Sequence, residues 1–151
     1  MSLAYVKKIC LFGGAGFVGR SIVRLLAKRG FELKIATRSP FDEDLLELKS
    51  TVSDPGQITI EKINIHSNNQ IKNFIQDCEV CINLVGILFE KGKNTFKKIH
   101  TDFVSNLTLA VKEEASLKHF IHFSSLGVKG GTASKYLESK YQAEQIIKKH
   151  L

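Results

Sequence analysis

Three glycines, at positions 13, 16 and 19, stand in the run Gly13-Gly14-Ala15-Gly16-Phe17-Val18-Gly19, directly behind the apolar stretch 8–12. A Gly-x-x-Gly-x-x-Gly spacing between a strand and a helix suits the capture of phosphate by backbone. Gly13 permits a tight turn, Gly16 lets main-chain amides approach an anion, and Gly19 lets the helix pack closely on the strand. The anion would face the free N–H groups and the positive dipole end of the helix that Phe17 and Val18 begin. A dinucleotide is the ligand such a loop takes. The next apolar run ends Ile35-Ala36-Thr37-Arg38-Ser39, with no carboxylate before Asp42. A carboxylate there would accept bonds from the ribose hydroxyls of NAD, whereas a guanidinium pairs with a 2′-phosphate and stacks on adenine. Arg38, helped by Ser39, therefore points to NADP(H), with NAD(H) as the alternative.

Tyr136 and Lys140 fall on one face of a helix, one turn apart, in Tyr136-Leu137-Glu138-Ser139-Lys140. If that face looks onto the nicotinamide, the Lys140 ammonium lowers the phenol pKa, and Tyr136 serves as a general acid or base near neutral pH. A hydroxyl from Ser124 or Ser125 would orient the substrate oxygen. Any helix can carry a chance Tyr-x-x-x-Lys, but this one follows a glycine loop and a run ending in Ser-Ser. Cys78 and Cys81 form a Cys-x-x-Cys, yet no second pair completes a zinc site, and the pair leads into the apolar residues 80–82. Inert core thiols and no metal are expected.

These residues need a scaffold that brings positions 13–19, 38–39 and 124–140 together. The chain has 151 residues, enough for one domain over 1–151, and a chain of that size buries about 70% of its unfolded surface. Its 43% apolar content excludes disorder, and no apolar run approaches the roughly 20 residues of a membrane helix. The first residues lack the ordered regions of a signal peptide, which makes the cytoplasm the default location. The formal charge of +7 is densest at Lys91-Gly92-Lys93 and Lys97-Lys98. No aromatic-interleaved basic face accompanies these lysines, so a solvated loop is expected there and no nucleic-acid partner.

Strands are expected at 8–12, 32–37, 58–63, 80–85 and 119–124, short and apolar in the middle, as strands buried on both faces should be. Val18, Ile22, Leu25 and Leu26 put an apolar stripe on a helix over 17–29, which Gly30 stops. Further helices are expected over 42–52 with Leu45, Leu46 and Leu48, over 67–75, from Phe96 through Ile99, Phe103 and Leu107 to Val111, and over 134–151. Strict β-α alternation implies an α/β fold: a Rossmann-type doubly wound parallel sheet of order 3-2-1-4-5 with helices on both faces. Its ligand would sit beyond the carboxyl ends of strands 1 and 4.

Together, the glycine loop, the Ser-Ser ending and the Tyr-Lys pair resemble the short-chain dehydrogenase/reductase superfamily, in particular its extended and atypical, NAD-dependent epimerase/dehydratase-like members. By that resemblance Leu84, Val85 and Gly86, in Asn83-Leu84-Val85-Gly86, pass the cofactor, and Asn64-Ile65 stands where an Asp-Leu pair often flanks the adenine. Asn106-Leu107 matches the family's Asn-Leu pattern, and Tyr136 and Lys140 also hold the nicotinamide ribose. More narrowly, the segments 12–20 and 83–90, Thr95-Phe96 with His100, and His122-Phe123-Ser124 look like the NAD(P)H-binding accessory-subunit lineage of respiratory complex I and its bacterial relatives. That likeness implies tightly held NADPH used structurally, complex I subunits as partners and a place peripheral to the inner membrane.

Departures from the family pattern leave two readings open. In sugar-nucleotide epimerases the catalytic Ser or Thr stands one place beyond such a Ser-Ser pair, which here falls on Leu126. The interval from Ser124 or Ser125 to Tyr136 is shorter than in those enzymes, and His100 stands where Asn is usual. One reading is an NADP-dependent oxidoreductase or epimerase/dehydratase using Tyr136 and Lys140. The other is a non-catalytic, cofactor-holding subunit. The resemblance also implies a sixth strand and a C-terminal substrate-binding portion beyond Leu151. Residues 1–151 then read as a cofactor half, whose fifth strand is an edge for a partner or a second copy in a homo-oligomer to cover.

Overall fold

The computed structural model describes residues 8–40, 43–50, 52 and 57–151. Strands β1 (Lys8–Phe12), β2 (Glu32–Thr37), β3 (Ile58–Lys62), β4 (Val80–Asn83) and β5 (His119–His122) alternate with helices α1 (Phe17–Lys28), α2 (Glu43–Ser50), α3 (Asn68–Ile75), α4 (Phe103–Glu113) and α5 (Lys135–His150). The strands form one parallel sheet of order β3-β2-β1-β4-β5, as the alternation requires. The N-terminal residues 1–7, the expected helix start at Asp42 and the Leu45 side chain lie outside the described residues.

The pleat of the strands divides the core into two layers. Ile9, Leu11, Leu33, Ile35, Val80 and Ile82 form one, with Val23 and Ala27 of α1 and Leu48 of α2. Cys10, Phe12 and Cys81 form the other, with Ile71 and Phe74 of α3 and Phe103 and Leu107 of α4. Phe12 ties that second layer together: its ring centre lies 4.9 Å from Phe74 and 5.4 Å from Phe103. A fully buried ring of this kind stabilises by about 1.5–3 kcal/mol. Cys10, Cys78 and Cys81 are free and buried, as inert core thiols should be. The hydrogen bond with Cys10, followed by burial, pushes the Cys78 thiol far above its usual range, so it stays protonated.

Local signals set the ends of these elements. Gly30 stops α1 at φ +83°, with its own N–H on the Ala27 carbonyl at 3.0 Å and the Phe31 N–H on the Leu26 carbonyl at 3.3 Å. Ser67 and Ser134 cap α3 and α5 by accepting from the Gln70 and Leu137 amides. The basic loop is solvated as expected, folded into a turn where the Lys91 and Asn94 amides and carbonyls pair at 3.1 and 3.0 Å.

Three strands are shorter than their apolar runs suggested, ending at Lys62, Asn83 and His122 instead of 63, 85 and 124. One ladder bond continues past each, from the Ile63, Leu84 and Phe123 amides to the carbonyls of Thr37, Phe12 and Asn83, and the chain then leaves the sheet. The larger correction concerns the fourth helix. A single α-helix from Phe96 was expected, but a π-helical segment, Lys97–Asp102, precedes α4, and the Phe103 N–H reaches back to the Lys98 carbonyl. The wider turn accommodates one extra residue and buries Ile99 and His100 side by side.

Candidate functional site

The site grows from the carboxyl ends of β1, β2 and β4. β1 delivers the chain into Gly13, whose φ of +82° favours glycine and whose Cβ, if present, would stand 2.9 Å from the Leu84 carbonyl carbon. The Gly16 N–H closes the turn on the Gly13 carbonyl at 3.1 Å, and α1 then starts with no side chain capping it. The first-turn amides of Phe17, Val18 and Gly19 thus have no intrahelical acceptor and carry the helix's positive end. Phe17 is 87% exposed, so its contribution here is backbone rather than side chain. A Cβ on Gly19 would run into the Gly13 carbonyl oxygen and stand 2.7 Å from Gly14 Cα, so Gly19 serves contact with the loop itself more than with the strand. Gly14, to which the spacing assigned no separate role, lets β2 close in behind: its Cβ would lie 2.9 Å from Ile35 Cγ2.

Gly13, Ala15 and Gly16 line a cleft of about 540 Å³. Arg38 and Ser39 stand at its β2 end, Asn64, Ile65 and His66 at its β3 end, and Leu84, Val85, Gly86 and Ile87 follow β4 along it. Thr37 Oγ1 accepts from the Ser39 N–H and lies equally close, at 3.1 Å, to the Ser39 carbonyl, which shapes the β2 end. Asn64 Oδ1 accepts from the His66 N–H at 3.0 Å and folds the β3 end into a turn. Among the described residues no carboxylate lines this cleft. An anion there meets Arg38 and a helix N-terminus, with no like charge among the described lining residues. The backbone cradle leaves no room for a Cβ at three positions, and the cleft continues from Arg38 past the loop to Gly86. These residues fit a phosphate-linked dinucleotide.

Beyond β4 the site is built from buried polar side chains. Asn83, fully buried, accepts from the Val85 N–H at 3.0 Å through Oδ1 and donates to His122 Nδ1 at 3.1 Å through Nδ2. This turns the chain out of the sheet toward Gly86, where a Cβ would stand 3.4 Å from Lys140 Nζ and 3.5 Å from His100 Nε2. Lys140 is only 5% exposed, and its ammonium donates to the Phe123 carbonyl at 3.4 Å. Burial holds its pKa below the usual lysine value. Burial first, and the Lys140 charge second, lower His100 and His122 to about 4, so two neutral imidazoles flank one ammonium.

Tyr136 and Lys140 share a face of α5, as their spacing predicts. Tyr136 packs edge-on against Phe96 and His100, with ring centres at 5.7 and 5.4 Å, while Lys140 reaches Gly86. Ser124 and Ser125 lie in the loop after β5, Ser124 exposed, joined to the pair through the Lys140 bond to Phe123. Of the positions singled out in the sequence, Gly13, Ala15, Gly16, Arg38, Ser39, Asn64, Ile65, Leu84, Val85 and Gly86 converge on the cleft. Gly14 and Gly19 support the loop from behind. Thr37, Asn83 and His100 were not singled out for these roles; His100 stood out only as a departure from an expected Asn.

A family model described as NAD(P)H-binding matches residues 13–150. The mitochondrial NADH dehydrogenase (ubiquinone) 1 alpha subcomplex subunit 9 of Mus musculus is 30% identical over 138 residues, 91% of this chain and 36% of that protein. Its namesake in Arabidopsis thaliana is 29% identical over 137 residues, 91% of this chain and 34% of that one. The chain spans about a third of the length of these curated relatives. A UDP-glucuronic acid 4-epimerase from Bacillus cereus, solved in complex with NAD, has the same fold at a TM-score of 0.74 and 21% identity, over 95% of this chain and 52% of that one.

Proposed function

The chain belongs to the NAD(P)H-binding family, and from that premise we propose that it holds NADP(H) in the cleft between β1, β2 and β4, as a cofactor-binding module of the accessory-subunit type. The observation that carries this reading is a glycine cradle with an uncapped helix start, opening onto a cleft that has Arg38 at one end and no carboxylate in its described lining. The amides of Phe17, Val18 and Gly19 receive the pyrophosphate. Arg38 and Ser39 take the 2′-phosphate, and Asn64 and Ile65 flank the adenine. Leu84, Val85 and Gly86 run along the nicotinamide half, whose ribose Tyr136 and Lys140 hold. When bound, the dinucleotide supplies a hydride donor or acceptor.

The alpha-subcomplex relatives support partners among respiratory complex subunits. No helix among the described residues is long and apolar enough to cross a membrane. Titration with NADPH and NADH tests the cofactor assignment. NADPH is expected to bind at least about tenfold tighter, the worth of one charge-assisted phosphate contact. Equal or tighter NADH binding overturns the preference. A second reading, turnover as an oxidoreductase or epimerase/dehydratase, is favoured by the buried Lys140 and by Tyr136 on the same helix face, both against the Gly86 and His100 wall. In that case Tyr136 exchanges the proton and Tyr136→Phe loses most carbonyl-dependent NADPH oxidation; unchanged turnover refutes it.

A further inference from the structure

His100 is 1% exposed and makes polar contacts at both ends of its ring. Nε2 accepts from the Ile87 N–H at 2.9 Å, so in this arrangement Nε2 carries no proton. The neutral ring then has its proton on Nδ1, which donates to Ser139 Oγ at 2.8 Å. The Ser139 hydroxyl in turn donates to the Tyr136 carbonyl at 2.7 Å. One chain of hydrogen bonds, with a single consistent direction, runs from the cleft-lining Ile87 to the helix that bears Tyr136 and Lys140. Phe96 stacks on the imidazole at 5.5 Å and Tyr136 meets its face edge-on at 5.4 Å, which fixes the plane of the ring. The π-helical segment supplies the wide turn that carries His100 into this position.

We propose that His100 is the positioning residue of the nicotinamide end: a two-ended bridge that sets the distance between the cleft wall at Gly86 and Ile87 and the Tyr136–Lys140 face of α5. The proposal rests on the dinucleotide reading above. It goes beyond packing because the bridge joins parts that would touch only one half of the ligand. The Arg38 end, which takes the adenine half, has no member of the bridge in it.

The experiment measures affinity for NADPH, which spans both halves, and for adenosine 2′,5′-bisphosphate, which reaches only the adenine half. His100→Phe keeps a buried ring and removes both polar ends. It is expected to weaken NADPH about tenfold, because the part-buried Ile87 amide loses its acceptor and the nicotinamide end is no longer held in register, with adenosine 2′,5′-bisphosphate unchanged. His100→Gln restores an acceptor at the Nε2 position for the Ile87 amide and recovers most of the NADPH affinity, whereas His100→Asn, too short to reach it, does not. Ser139→Ala, a smaller change in the same bridge, weakens NADPH by a few-fold with the same selectivity. Variants that weaken both ligands equally, or neither, overturn the bridge. Wild-type protein that binds neither ligand overturns the dinucleotide reading itself.

Discussion

The two walls of the cleft are made of different materials. The wall at 13–19 presents backbone: three positions exclude a Cβ, the helix start is uncapped, and the one large side chain there, Phe17, points into solvent. The wall behind Gly86 presents buried polar side chains from segments far apart in the chain, His100 bonding Ser139 and Asn83 bonding His122, each across 39 residues. The first wall depends on what is missing from the side chains, and the second on whether each buried donor meets its acceptor. Steric changes should therefore damage the first, and protonation or loss of a single acceptor the second.

The largest effect is expected from Gly19→Val. Its side chain would strike the Gly13 carbonyl and the Gly14 backbone, which cannot rotate away. Overpacking of this kind costs about 3 kcal/mol, or about 6–12 °C in melting temperature for a chain of this size, and NADPH binding should be lost with it. Phe17→Ala, two residues away and exposed, should leave both unchanged; similar losses in the two variants would remove the distinction between backbone and side chain in this wall.

Acid should act on the other wall. His100 has a folded pKa of about 4 against an ordinary 6.5, so between those values the unfolded chain binds more protons than the folded one. Its contribution is fully present above pH 6.5 and is lost as pH falls toward 4, amounting to about 3 kcal/mol for this one residue. Urea unfolding at a series of pH values should show that slope, and His100→Phe should flatten it by about that amount. Identical slopes in the two proteins would contradict the neutral, buried imidazole.

Two smaller effects sharpen the contrast. Arg38→Ala should weaken NADPH by about 1.5–3 kcal/mol and NADH, which keeps only the adenine contact, far less, as read by parallel titrations. Tyr136→Phe keeps the ring against Phe96 and His100 and should change thermal stability by less than about 0.5 kcal/mol. A larger loss would give the Tyr136 hydroxyl a structural role that the packing does not assign it.

The same division explains what could be read from the sequence. The sheet order, all five strands and the glycine turn rest on local patterns: apolar runs of strand length, a helical stripe ended by Gly30, and glycines at fixed offsets. Thr37, Asn83 and His100 carry no such pattern. A polar residue on an apolar helix or strand face announces its role only when its partner is known, and the side-chain partners of Asn83 and His100, His122 and Ser139, lie on β5 and α5. The π-helical segment was invisible for a related reason. Ile99, Phe103 and Leu107 keep helical spacing through it, so hydrophobic periodicity alone cannot register one extra residue in the turn. The glycine spacing assigns Gly14 no separate role in the loop because its constraint comes from Ile35 on the neighbouring strand.

The central claim is that a dinucleotide lies with its phosphates on the start of α1 and its adenine end at Arg38. Amide chemical-shift mapping of the isotopically labelled protein, titrated with NADPH, addresses both contacts at once. The largest saturable changes are expected at residues 13–19 and at Arg38 and Ser39. Saturable binding that leaves those amides unmoved, or no binding at all, would contradict the account.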